Sequence, residues 1–261
     1  MNQEIKNIGN YIRTKNGYLV NSFKEFELQS DWITVSKLAN DLILKNIKKE
    51  VSSIYLRGSV ANGTAVKKVS DIDIVVILKE DILQSFKNKI NNDCNLLLKD
   101  NSFVTHFDIA FYLKEDILNR KEKVLIKLRS HKMFGEDLTL FIPELKPGED
   151  IFIHIKDLEE ELKKLEKEIS LGLYNKDNVK VTIKWISKRI IRAGMEIVSE
   201  REQLYTRDLY KCWESFSKYY PNFKDQMFYL LDKAINPTNS TQELSLIVNK
   251  GFNFLLLIDR K

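Results

Sequence analysis

The chain has 261 residues, of which 43% are hydrophobic and 30% are charged, and its formal net charge is +5. This length suits one large domain or two modest ones, and the hydrophobic content supports a packed core and excludes global disorder. The mild positive charge is spread along the chain, which fits an anionic small-molecule partner but is not typical of a strong nucleic-acid binder.

The first half of the sequence predicts a sheet with helices around it. Residues 72–78 form a near-continuous apolar run, which is typical of a central strand covered on both faces. Apolar residues at helical spacing, such as Val35 and Leu42, indicate the helices, and Ser30 is a good N-cap for the first of them. In chain order we expect a short strand or packed arm at 17–20, a helix at 31–48, strands at 51–56, 72–78 and 103–113, and helices at 80–98 and 115–128, the last of which leads into a loop.

Pro143, Pro147 and Gly148 mark a boundary, after which the apolar spacing is helical throughout. We expect helices at 157–170, 178–200, 223–234 and 242–258, and a further helix that starts at Thr206 or Asp208 and runs to about Tyr220. The sequence therefore predicts the α+β class. An N-terminal mixed-sheet domain with flanking helices occupies residues 1–147, and a C-terminal α-helical bundle domain occupies residues 148–261.

A glycine–serine turn and two nearby aspartates form the most informative motif. Gly58 and Ser59 follow the first strand of the sheet, and Asp71 and Asp73 begin the next strand. Alternate strand residues face the same side, so the two carboxylates point together and repel each other unless a cation lies between them. Mg²⁺ prefers oxygen ligands and usually carries substrate phosphates, and a glycine turn offers backbone N–H groups to phosphate oxygens. The motif predicts a metal-assisted nucleotide site.

A third carboxylate strengthens this interpretation. Asp108 is the lone acidic residue of the apolar strand at 103–113, and a buried acid is costly unless it is paired or bound to a metal. If this strand lies beside the strand of Asp71 and Asp73, the three acids converge. Three acids can hold two divalent ions, or hold one and supply a general base. Each part alone is more often structural, so the prediction depends on the combination.

This combination resembles the DNA polymerase β-like nucleotidyltransferase superfamily, through Gly58-Ser59, Asp71-x-Asp73 and Asp108 on a later strand. The motif match covers residues 51–113. In layout the chain is most similar to bacterial aminoglycoside (streptomycin/spectinomycin) adenylyltransferases, which are antibiotic-resistance enzymes. In those proteins a helical domain follows the nucleotidyltransferase domain, as we expect here.

The residues and the resemblance give Asp71 and Asp73 the same role, as Mg²⁺ ligands. We assign Ser59 and the Gly58 backbone to the β- and γ-phosphates, because a side chain at position 58 could block their close approach. Asp108 is either the general base or a ligand of a second metal ion. The matching position in aminoglycoside adenylyltransferases is often a glutamate base, and the shorter aspartate, as in polymerase-type members, leaves this choice open.

Pyrophosphate also needs cationic partners. Lys188 and Arg192 are four residues apart on a predicted helix and share a face, so we assign them to nucleotide binding, against the alternative of a solvated surface. Arg57 lies beside the turn, although strand alternation can direct it away. Further candidates are Lys67 and Lys68 in the loop before Asp71, and Lys184 and Arg189 on the same helix as Lys188.

Three other groups of residues have both a functional and a structural interpretation. Residues 205–208 either line a cleft or cap a helix. Glu136 and Asp137 either bind a cationic substrate or form a surface turn. Aromatic residues of the helical half either stack on a substrate ring or belong to the core; these are Trp185, Trp213, Tyr219 and Tyr220.

We therefore expect a Mg²⁺-dependent nucleotidyltransferase that moves NMP, as AMP from ATP or another NTP, onto a hydroxyl of a small-molecule acceptor, and that releases pyrophosphate. The acceptor that the layout favours is an aminoglycoside-type antibiotic. The alternatives are a toxin–antitoxin-type enzyme that modifies protein or tRNA, and a non-catalytic nucleotide-binding scaffold. The sequence has no apolar signal core, no run of membrane-spanning length and no disulfide framework or zinc cluster. We expect a cytoplasmic protein without a membrane partner.

Overall fold

The computed structural model describes residues 4–21, 30–119 and 122–258, without the side chains of Ser30 and Lys176. The predicted capping role of the Ser30 side chain therefore lies outside the described part of the chain.

The first half of the chain contains β1 (Ile12–Lys15), β2 (Tyr18–Leu19), α1 (Ser30–Ile47), β3 (Val51–Arg57), α2 (Gly58–Ala61), β4 (Ile72–Leu78), α3 (Gln84–Leu96), β5 (Phe107–Leu113), α4 (Lys114–Asn119), α5 (Lys123–Arg129) and β6 (His131–Gly135). The second half contains α6 (Leu158–Ser170), α7 (Val179–Glu202), β7 (Leu204–Tyr205), α8 (Leu209–Tyr219), α9 (Lys224–Ile235) and α10 (Thr241–Ile258).

The chain divides into two compact units. One, the sheet unit, is Val20–Leu145, and the other, the helical unit, combines Met1–Leu19 with Lys146–Lys261. This grouping differs from the predicted domains in the N-terminal segment, which joins the helical unit because β1 pairs antiparallel with both β2 and β7. The predicted short strand at 17–20 is the second arm of this hairpin.

The sheet unit is a four-stranded mixed sheet in the order β5-β4-β3-β6, in which β4 and β5 are parallel and the other pairs are antiparallel. As predicted, β4 is an interior strand, and all but one of its residues are buried. One face packs against α1 and α3 through a core that includes Trp32, Ile43 and Ile90. The opposite face packs Tyr55 and Val75 against α4 and α5. The structure confirms the α+β class.

Four elements of the sheet unit differ from their predictions, and the first is α3, which begins at Gln84 instead of residue 80. Strand β5 begins at Phe107 instead of 103, because the residues before it form a turn in which the Val104 N–H donates to the Asn101 carbonyl. The helix expected at 115–128 is two short helices, α4 and α5. The stretch 127–134 was expected to lead into a loop, but the structure has the strand β6 at His131–Gly135. Its short sequence lacks the alternation that would mark it as a strand.

The helical unit is built around α7, whose buried positions span nearly its whole length. Glycines let other helices approach closely: a Cβ at Gly251 of α10 would lie 2.8 Å from the Leu162 side chain of α6. None of the helices in the described ranges is long and apolar enough to cross a membrane.

Candidate active site

The register of the sheet brings two predicted acids and an arginine into one row. Asp73 of β4 lies opposite Asp108 of the parallel strand β5, and Arg57 of β3 lies opposite Asp73 on its other side. Residues opposite each other on neighbouring strands project from the same face. Arg57, Asp73 and Asp108 therefore form a row across three adjacent strands, which we call the acid row.

Asp71 lies beside this row on the same face, two residues before Asp73. The pairing of β4 with β5 continues through the hydrogen bond from the Ile72 N–H to the His106 carbonyl (3.1 Å), which places His106 next to Asp71. The His106 Nε2 atom is 3.5 Å from the Asp71 carboxylate. The structure thus brings all three predicted acids to one face, and adds His106, which sequence reasoning missed. The sequence signal that could have identified His106 is its spacing, because His106 and Asp108 are two residues apart, as Asp71 and Asp73 are.

The glycine–serine turn lies directly against Asp73. Gly58 has φ of +70°, in the left-handed region that favours glycine, and a Cβ built on it would lie 1.7 Å from an Asp73 carboxylate oxygen. The turn is closed by hydrogen bonds from the Asn62 N–H to the Gly58 carbonyl (3.2 Å) and from the Thr64 N–H to the Ser59 carbonyl (2.9 Å). Gly58 is therefore required by the backbone conformation and by the space that Asp73 occupies.

The side chains of this face are of the kind that Mg²⁺ prefers, because Asp73 and Asp108 are opposite each other in the register and Asp71 is two residues from Asp73, and all three carry carboxylate oxygens. Asp108 is exposed and the other two are partly exposed, so all three are open to a ligand. In the described ranges, no three His, Cys, Asp or Glu side chains are grouped closely enough to hold a metal ion.

Comparison with known proteins identifies the domain that carries these residues. Residues 40–133 match the model of the nucleotidyltransferase domain, and this range includes the turn, Asp71, Asp73 and Asp108. The chain carries a nucleotidyltransferase domain. A comparison with curated protein sequences finds no match.

A solved structure shows the same fold over most of the chain. Spectinomycin adenyltransferase AAD(9) from Enterococcus faecialis, in a structure with ATP and spectinomycin, is 12% identical, with a TM-score of 0.53. The match covers 86% of this chain and 98% of that chain. The domain match confirms the resemblance to polymerase β-like nucleotidyltransferases, and the chain is an enzyme of the nucleotidyltransferase class. The fold that it shares with AAD(9) agrees with the predicted layout.

The predicted cations of the nucleotidyltransferase have varied surroundings. Lys67 pairs with the Asp31 carboxylate at 2.8 Å, and Arg189 pairs with Glu161 and donates to the Lys156 carbonyl. Lys188 and Arg192 are half-buried on α7, and the Arg192 Nε donates to the Arg207 carbonyl at 3.2 Å. Their assignment to nucleotide binding stays a prediction. The Arg57 side chain is not directed away from the site, as strand alternation allowed, because the register of β3 with β4 places it in the acid row.

Residues 205–208 attach the N-terminal segment to the helical unit. The Thr206 hydroxyl donates to the Asn10 carbonyl (2.8 Å), and the Asn10 N–H donates to the Asp208 carboxylate (2.8 Å). Asp208 is the N-cap residue of α8, but its side chain makes no capping hydrogen bond. Capping by Asp208 is therefore not observed, because its carboxylate is bound to Asn10 instead.

Glu136 and Asp137 have protein partners. Glu136 pairs with Lys114 at 2.5 Å. Burial would raise the pKa of Asp137, but hydrogen bonds from the Thr139 hydroxyl (2.7 Å) and N–H (3.1 Å) outweigh burial, and the pKa is lowered. These contacts favour the structural interpretation, a turn at the end of β6. Among the candidate aromatics, the half-buried Trp213 packs edge-on against the exposed Phe228, and the half-buried Tyr220 stacks on the buried Phe216.

Proposed function

We propose that this nucleotidyltransferase moves AMP from ATP to a hydroxyl group of a small-molecule acceptor and releases pyrophosphate, with Mg²⁺ as the metal. The observation that carries the proposal is the placement of Asp73 between Asp108 and the Gly58–Ser59 turn, with Asp71 on the same face. An in-line displacement at phosphorus is favoured by a group that positions the attacking hydroxyl on one side and a group that binds the leaving phosphates on the other. Asp108 and the Gly58–Ser59 turn lie on these two sides of Asp73.

Asp71 and Asp73 are the residues that would hold Mg²⁺. A bound divalent ion neutralises phosphate charge and so lowers the barrier to attack on the α-phosphorus. Ser59 supplies a hydroxyl, and the glycine at 58 leaves the backbone accessible to the β- and γ-phosphates.

Asp108 is proposed as the general base. It is exposed and lies opposite Asp73 in the register of β4 with β5, so it is open to a hydroxyl that approaches this face. Asp108 would take the hydroxyl proton while the acceptor oxygen bonds to the α-phosphorus. The bond from that phosphorus to the bridging oxygen breaks, and its electron pair leaves with pyrophosphate.

The proposed acceptor class is an aminocyclitol or aminoglycoside antibiotic. The support is the fold shared with AAD(9), whose structure was solved with ATP and spectinomycin. The carboxylates of Glu136 and Asp137 are not assigned to this acceptor, since both are held by protein groups.

The proposal is tested by pyrophosphate release. The purified protein is incubated with Mg²⁺, ATP and a panel of aminoglycosides and aminocyclitols, and we expect release that depends on one or more acceptors. The matched controls are Asp71→Asn and Asp73→Asn, which keep the side-chain shape and remove the charge. The proposal fails if no NTP and acceptor pair gives more pyrophosphate with the wild type than with these variants.

A further inference from the structure

The order of the strands determines the order of the three side chains in the acid row. Asp108 is on β5, Asp73 is on β4 and Arg57 is on β3, so Asp73 lies in the middle. Neighbouring strands are about 4.8 Å apart, which places the two ends of the row about 10 Å apart. This separation is comparable to the span from an attacking oxygen through a phosphorus atom to the far end of a leaving pyrophosphate.

Arg57 has a buried polar group that the described part of the chain leaves unsatisfied. The Nε atom of Arg57 is buried and has no hydrogen-bond partner among the described residues. A buried N–H of a charged guanidinium is costly without an acceptor, and such groups are normally paired. A hydrogen-bond acceptor on a bound ligand would satisfy this N–H group.

The geometry of in-line displacement indicates which group of the substrate would accept this hydrogen bond. In-line displacement requires the attacking and leaving oxygens to be on opposite sides of the α-phosphorus. If Asp108 activates the attacking hydroxyl over β5 and Asp73 holds the metal over β4, the leaving group departs over β3. Arg57 is the residue of β3 in this row, and the Gly58–Ser59 turn follows it directly.

We infer that Arg57 binds the leaving pyrophosphate and stabilises the negative charge that develops on its bridging oxygen. The inference rests on the proposed function and deepens it by assigning the leaving-group side of the site. The electron pair of the broken phosphorus–oxygen bond passes to pyrophosphate, and Arg57 keeps its proton throughout. A guanidinium suits this role because it is always charged and offers paired donors to phosphate oxygens.

Equilibrium binding tests the inference without knowledge of the acceptor. The dissociation constants of inorganic pyrophosphate, ATP and AMP are measured calorimetrically with Mg²⁺ for the wild type, Arg57→Met and Arg57→Lys. We expect Arg57→Met to bind pyrophosphate and ATP at least about 10-fold more weakly, as the loss of a charge-assisted hydrogen bond implies. AMP binding is expected to be unchanged, and Arg57→Lys should recover part of the loss.

The matched control is Lys79→Met, which removes a positive charge beyond the other end of β4, where the Lys79 amine donates to the Lys49 carbonyl. It should bind all three ligands as the wild type does. With an acceptor identified, Arg57→Met should lower kcat about 100-fold, the typical effect of losing one charge-stabilising donor, and leave the acceptor KM unchanged.

Two results would overturn the inference while leaving the proposed function intact. One is a wild type that binds Mg²⁺ and pyrophosphate with an Arg57→Met variant that binds them equally well. The other is an equal loss of AMP and pyrophosphate binding in Arg57→Met together with a lower melting temperature, which would make Arg57 a structural residue. A wild type that binds neither ATP nor pyrophosphate would overturn both proposals.

Discussion

Gly58 shows how one residue of the site satisfies two requirements. Its left-handed backbone conformation turns the chain out of β3, and its missing side chain leaves room for the Asp73 carboxylate. The sequence predicted a glycine here for the approach of phosphate, whereas the structure adds the contact with Asp73. That contact could not be predicted, because it depends on the antiparallel register of β3 with β4.

The substitution Gly58→Ala separates these effects from simple backbone strain. A non-glycine residue in the left-handed region costs about 1–2 kcal/mol. Gly58→Ala should show this cost and should also displace Asp73, lowering the turnover rate by about 100-fold or more. The matched control is Gly172→Ala, since Gly172 has φ of +65° and open space around its Cβ position. Thermal unfolding and pyrophosphate release measure the two effects. Equal turnover in the two variants would show that the Asp73 contact has no catalytic role.

Asp108 can be tested as a base by comparing it with its amide. If Asp108 accepts the hydroxyl proton, Asp108→Asn should lower kcat by about 10²–10⁴-fold, because that is the usual contribution of a general base. The affinity for Mg²⁺ and ATP should change little. A ligand of a second metal ion would behave differently, since its loss would weaken the binding of Mg²⁺ and ATP. Calorimetric titration and initial rates, measured on the same variant, distinguish the two roles.

At the scale of the elements, Tyr55 joins β3 to the turn after β6. Its ring is buried, and its hydroxyl accepts a hydrogen bond from the Leu138 N–H (2.7 Å) and donates to the Glu136 carbonyl (3.3 Å). Burial raises the pKa of this hydroxyl to about 12, so it stays protonated and can donate. A side chain from the centre of the sheet therefore contributes two hydrogen bonds to the turn at 136–138.

Tyr55→Phe should destabilise the sheet unit by about 1–3 kcal/mol, because the buried Leu138 N–H loses its acceptor. Chemical denaturation measures the change. The matched control is Tyr18→Phe, which removes the hydroxyl of an exposed tyrosine in β2 and should change the stability by less than about 0.5 kcal/mol. A Tyr55→Phe variant as stable as this control would show that the hydroxyl does not hold the turn.

The sequence predicted well the elements that have strong local patterns. The buried run of β4 and the glycine–serine turn before it were found, because each has a local chemical signature. Strand β6 was missed because its residues become a strand through pairing with β3. The pairing of β1 with β7 was missed for the same reason, since Ile12 and Tyr205 are far apart in sequence.

The candidate site was predictable to a similar extent. Asp71, Asp73 and Asp108 could be chosen as acids of apolar strands, but the position of Arg57 could not. A shift of one residue in register would move it to the opposite face. The row of Arg57, Asp73 and Asp108 is therefore information that only the paired sheet contains.

At the scale of the whole molecule, the helical unit encloses a buried acid. Glu196 of α7 is fully buried, accepts hydrogen bonds from the N–H groups of residues 153–155, and lies 2.7 Å from the Nδ1 atom of the His154 ring. Burial raises the pKa of Glu196 to about 7, although these N–H groups and Arg207 act in the opposite direction. This acid connects α7 to the segment that leads into the helical unit.

The pKa shift predicts a pH dependence of stability. Because the pKa in the folded state lies above its usual value of 4.5, the folded protein binds this proton more tightly than the unfolded chain. The stabilising contribution is fully present below pH 4.5 and is lost as the pH rises through 7. Glu196→Gln removes the titration, so the free energy of unfolding of the wild type should fall relative to this variant over that range. Denaturation at several pH values measures it, and parallel pH profiles for the two proteins would contradict the assignment.

Transfer of a nucleotidyl group is the reaction that we propose for the acid row and Asp71. The most direct measurement follows ATP labelled at the α-phosphate or at the γ-phosphate, with Mg²⁺ and an acceptor panel, in the wild type and Asp73→Asn. We predict that the α-label enters the acceptor, that the γ-label leaves as pyrophosphate, and that Asp73→Asn abolishes both. An α-label that never leaves the nucleotide with any acceptor, or a transfer that is equally fast in Asp73→Asn, would contradict the claim.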